Sequence, residues 1–102
     1  MMTGARVTPQ WLRDLFRELN MIHKALIGEL RPELIRENHP SPKNSGEPEC
    51  TWSQRLRYMD RDGNQVAQVH QYLQPSGAIG ASGMPDPKLI LHEGTVRLSR
   101  SS

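Results

Sequence analysis

The stretch from Thr8 to Leu30 constrains this chain more than any other. Its apolar residues fall at Leu12, Leu15, Phe16, Leu19, Ile22, Leu26 and Leu30. Those steps draw one stripe down a helix of 3.6 residues per turn. Thr8 suits the N-cap, and Pro9 suits the first helical position, where a missing N–H costs no bond. Arg13, Asp14, Arg17, Glu18, Asn20 and Lys24 lie off the stripe, while Trp11, Met21 and Ile27 widen it. The pattern predicts one long amphipathic helix covered from more than one side. Pro32 would clash with the carbonyl four residues back. The helix is therefore expected to stop near Gly28–Arg31, with Pro32 opening a second short helix through Glu37.

The chain then changes character. Asn38 to Cys50 holds Pro40, Pro42, Pro48, Gly46 and two serines, and no large aliphatic residue. This reads as a linker or long surface loop. A hairpin follows. Thr51–Met59 reads as a strand with Trp52, Leu56 and Tyr58 on one side and Ser53, Arg55 and Arg57 on the other. Asp60-Arg61-Asp62-Gly63-Asn64 supplies the turn. Gln65–Leu73 returns, with Ala67, Val69 and Leu73 on one face and Val66, His70 and Tyr72 on the other. Pro75-Ser76-Gly77 is a further turn. Asp86 is expected to cap a helical turn opened by Pro87. Thr95–Leu98 reads as a last strand, and the tail Arg100–Ser102 is expected to fray.

The expected fold class is α+β: a long N-terminal amphipathic helix packed on a small antiparallel sheet of about three strands. The organisation is a single domain over 1–102, with a helical part at 8–37, a linker at 38–50 and a β-rich part at 51–98.

Composition narrows the setting. A chain of 102 residues with 35% hydrophobic content has a thin core, since a domain this short buries only roughly 60–65% of its unfolded surface. Either the fold is marginal, or apolar surface is covered by a partner or by a second copy in a homodimer. No run of 18 apolar residues occurs, so no transmembrane helix and no membrane partner is expected. Met1–Arg6 has no apolar secretory core. Cys50 is the one cysteine, which excludes an internal disulfide and fits a reducing, cytoplasmic setting. Glu47 and Glu49 beside it disfavour a thiolate. A net charge of +2, from 13 basic and 11 acidic residues, permits nucleic-acid contact without demanding it.

Several constellations bear on chemistry. Arg55, Arg57 and Arg61 cluster in the hairpin, with Arg97 and Arg100 to join them through the last strand. Guanidinium groups bind phosphates, and exposed rings stack on bases. Alternation sets Arg55 and Arg57 opposite Trp52 and Tyr58, however, and a solvated outer face accounts for them as well. Gly77-x-x-Gly80-x-x-Gly83, followed by Lys88, has the look of a phosphate loop but lacks the Gly-Lys-Ser/Thr ending. Glycine that supplies positive φ or close packing explains it better. Asp60–Asn64 has the opening of a calcium loop, but Gln71 stands where a bidentate glutamate belongs, so a hairpin turn suffices. His23, His39, His70 and His92 show no i,i+4 pair, and neither a metal nor a cofactor is called for.

No catalytic signature emerges. The reading is a small non-enzymatic binding or regulatory module. It acts on a protein or nucleoprotein partner, with nucleic-acid contact through Arg55, Arg57, Arg61, Arg97 and Lys88 and a second surface at the Gly77–Lys88 loop. The alternative is a small metal-independent nuclease or hydrolase of toxin type, with His70, Asp86, Lys88 and His92 around a phosphate. A third reading is a structural subunit whose helix docks in a larger assembly.

Overall fold

The computed structural model describes residues 3–40, 46–80 and 83–99. Much of the expected linker (41–45), two residues of the glycine loop (81–82) and the expected fraying tail (100–102) lie outside the described residues. The elements are β1 (Thr3–Val7), α1 (Pro9–Glu18), α2 (Met21–Leu26), β2 (Arg31–Pro40), β3 (Trp52–Met59), β4 (Gln65–Leu73), β5 (Asp86–His92) and β6 (Thr95–Ser99). The six strands form one sheet in the order β1-β6-β5-β4-β3-β2. Every pairing is antiparallel except β1 with β6, which is parallel.

This corrects the expected fold class. The molecule is mostly β, a six-stranded mixed sheet with two short helices, and not a long helix on three strands. The helix begins as the sequence implies: the Thr8 hydroxyl accepts from the Trp11 N–H at 3.1 Å, and Pro9 opens the first turn. It ends after Glu18 because Asn20 adopts the left-handed conformation, φ 53° and ψ 39°, which asparagine tolerates better than most residues. Across that break the stripe loses its phase. Leu12, Leu15 and Phe16 stay buried and Met21 turns inward, but Leu26 is 80% exposed.

Two further expected helical pieces are strands. Arg31–Pro40 runs along β3 as the sheet's edge. At an edge, prolines such as Pro32 and Pro40 leave no ladder bond unmade when they face outward. Asp86 and Pro87 open β5 and cap no helix. The register with β4 shifts between Gln68–Leu89 and Val69–Pro87, and such a bulge excuses a residue from donating. Pro87 is fully buried there. β1 was not anticipated at all. Gly4 and Ala5 give it no strand signature, and only pairing with β6 orders it. The β3–β4 hairpin is as read: Asp60 Oδ1 accepts from the N–H groups of Asp62 and Asn64, and Gly63 takes φ 84°.

One face of the sheet carries the core. Leu12, Leu15 and Phe16 of α1 and Met21 of α2 pack with Leu30, Tyr58, Ala67, Val69 and Ile90. The Phe16 and Tyr58 rings lie 5.8 Å apart and tilted, and burial raises the Tyr58 phenol above its ordinary pKa. Both helices sit on this side, and α1 lies over β5 and β6. Among the described residues no helix is long and apolar enough to cross a membrane.

Candidate nucleic-acid interface

Strand register assembles the outer face. Ser53 stands opposite Tyr72, Arg55 opposite His70 and Arg57 opposite Gln68. Directly opposed residues in an antiparallel pair point to the same side. Arg55, Arg57, His70 and Tyr72 therefore share one face, while their neighbours Leu56, Tyr58, Ala67 and Val69 face the helices. Arg36 of β2 stands in register with Arg55 from the other side.

The face is tied together in two places. Ser53 Oγ lies 2.7 Å from His70 Nε2, and the His70 ring meets Tyr72 edge-on at 4.9 Å. This fixes the tyrosine–histidine pair against a serine that is itself buried. Toward β2, Glu33 takes Arg31 on one carboxylate oxygen (2.9 and 2.7 Å) and Arg57 on the other (3.1 and 3.0 Å). Hydrogen bonds from Arg31, then from Arg57, hold the Glu33 carboxyl below its ordinary pKa. Arg55 has no hydrogen bond or ion pair to a described residue.

The four arginines and one lysine expected to share one contact surface are dispersed. Arg55 and Arg57 hold the middle of the outer face. Arg61 is exposed in the β3–β4 turn. Arg97 stands opposite Ile90 and so on the helix side, where its guanidinium lies 5.4 Å from the Trp11 ring centroid. Lys88 donates to Asp86 Oδ2 at 2.9 Å.

The acid–base group is split as well. His70 and Asp86 are in register, and Lys88 joins Asp86. His92 stands at the far end of β5 beside the turn, 3.7 Å from Glu93, roughly 20 Å along the strand from Asp86 at about 3.3 Å per residue. Arg13 of α1 takes Asp86 Oδ1 at 2.9 Å. Burial works to raise the Asp86 carboxyl, but the bonds and charges of Arg13 and Lys88 outweigh it and hold the pKa low.

The glycine loop has its donors committed. The N–H groups of Gly77, Gly80 and Gly83 go to the carbonyls of Gln74, Tyr72 and Gly80. Gly77 takes φ 89°, and a Cβ at Gly80 would meet the end of the Glu47 side chain, which would have to swing aside. Among its described residues the loop thus folds back along the end of β4, with these glycine donors engaged.

Tyr72 and His70 were the residues to join to the arginines. Alternation carried through the Asp60–Asn64 turn would have done it, since turn geometry fixes hairpin register. Arg13 had no such signal, because it meets Asp86 from 73 residues away.

No family model, curated protein or solved structure matches this chain.

Proposed function

We propose that this chain is a binding module that takes single-stranded nucleic acid across the outer face of its sheet. The observation that carries the reading is the register that puts Arg55 and Arg57 on one side with His70 and Tyr72, with α1 coming near at the His70–Tyr72 end, where they share a cavity. Phosphates need cations and bases need ring faces, and the two must alternate over a few ångströms. Adjacent strands about 4.8 Å apart supply that spacing. The acid on this part of the face, Glu33, is balanced between two arginines. Arg55 is the cation left with its donors uncommitted. The hydrolytic alternative finds less support, because Ser53 is buried, both Asp86 oxygens are engaged and His92 stands apart.

The test is fluorescence anisotropy with short labelled DNA and RNA oligonucleotides across a salt series. Affinity is expected to fall with salt, each lost phosphate contact lowering the logarithmic slope by about 0.7. Arg55→Gln is expected to lower both affinity and slope. Tyr72→Ala is expected to weaken binding by about tenfold with the slope unchanged, the loss of one stacked base. Binding that ignores salt, or that both variants leave intact, removes the reading.

A further inference from the structure

A second feature lies where α1 meets the end of β4 and the start of β5. β4 and β5 stop pairing at His70–Asp86. Beyond that point β4 is met by Ile79 of the glycine loop, which bridges to Leu73. The strands therefore part, and α1 roofs the notch between them. The result is a cavity of about 430 Å³, within the range of roughly 300–1,000 Å³ typical of small-molecule sites. Phe16, Met84 and Pro87 give it apolar walls.

Its charge is one-sided. Arg13 and Arg17, one helical turn apart, both line it, and i,i+4 spacing puts them side by side. The acid in the wall is Asp86, and neither of its oxygens is open: Arg13 Nε holds Oδ1 and Lys88 Nζ holds Oδ2, each at 2.9 Å. The Asp86 bond engages the Nε of Arg13, which orients the guanidinium and leaves both terminal nitrogens to donate. Arg17 has only a long contact to Asp14, at 3.9 Å. A cation ligand would meet two arginines there. A neutral apolar ligand would leave them unused.

We propose that this cavity binds a small organic anion, with one carboxylate or phosphate on Arg13 and Arg17 and a hydrocarbon body against Phe16, Met84 and Pro87. A planar guanidinium fixed on one edge is suited to two-point recognition of such a head group. His70 and Tyr72 line this cavity too, so it adjoins the ring end of the outer face, while Arg13 and Arg17 belong to it alone.

The experiment is an amide-resolved NMR titration of the full chain with hexanoate, hexyl phosphate, hexanol and inorganic phosphate. At least one of the two hexyl anions is expected to saturate, with shifts at residues 10–17, 70–72 and 84–87. Hexanol and inorganic phosphate are expected to bind at least about tenfold more weakly, the worth of a charge-assisted hydrogen bond or of the apolar contact. Arg17→Gln is expected to weaken the anion by about tenfold. Because Arg17 makes only an exposed contact, its urea midpoint should not move. Arg13→Gln should weaken the anion as well, with the loss of its Asp86 bond showing in the midpoint. Hexanol binding as well as the anions removes the role of the arginines. Inorganic phosphate binding as well removes the role of the apolar walls. Shifts that fail to saturate, or that centre on Arg55 and Arg57, overturn the site.

Discussion

Asp86 is the residue at which sheet, helix and solution pH meet. It joins the start of β5 to α1 through Arg13, with Lys88 on its other oxygen. Its folded pKa lies below the ordinary aspartate value, so at low pH the unfolded chain binds this proton more readily than the folded one. The contribution is thus fully present above the ordinary aspartate pKa and is lost as pH falls through the folded one. Arg13 is half exposed, which holds the expected size near 1 kcal/mol. Asp86→Asn is expected to lower stability by about that amount at neutral pH. Its urea midpoint should then converge with the parent's in the acid limb, and a constant gap at all pH would show that the ion pairs do not carry it. The sequence offers Asp86 as the cap of a helical turn opened by Pro87, and the structure makes it the start of a strand. A helix cap and a strand-edge ion pair ask for the same side chain, and only the distant Arg13 decides between them.

Among the elements, the pair α1–α2 turns on Asn20. Its side chain makes no capping bond, so its use lies in the backbone conformation. Asn20→Gly is expected to be neutral or to stabilise by up to about 0.5 kcal/mol, while Asn20→Ala is expected to cost about 1 kcal/mol. Thermal melts of the two variants would check the order. An alanine variant as stable as the glycine one would mean that the helices can fuse. The Thr8-Pro9 start announced where the first helix begins, though the stripe ran it on past its end at Glu18, and the Asp-Gly turn announced the β3–β4 hairpin, because both of these signals are local. The break at Asn20 was illegible, since the stripe continues through it at helical spacing. Leu34 and Ile35 are equally neutral between helix and strand. Edge pairing with β3 settles them, and nothing near Pro32 announces a partner more than twenty residues later.

On the scale of the whole molecule, one layer of short helices covers one face of six strands. A core so thin has few residues to spare. Phe16 is 1% exposed, at the meeting of helix, Tyr58 and the cavity wall. Phe16→Ala is expected to cost about 3–5 kcal/mol, a large share of the roughly 5–15 kcal/mol that holds small domains together. Chemical denaturation should show a lowered midpoint or a transition already begun in water. A loss under about 1 kcal/mol would mean the helix layer is not the seat of stability.

The parallel pairing of β1 with β6 has a consequence for how this chain comes into being. Of the six strands, Thr3–Val7 is made before the others, and the strand it must lie beside is made after them. α1, which rests on β5, waits almost as long. The β3–β4 hairpin is the piece that can form early, and the opening segment must stay apart from other nascent chains until Thr95–Ser99 gives it an edge to join.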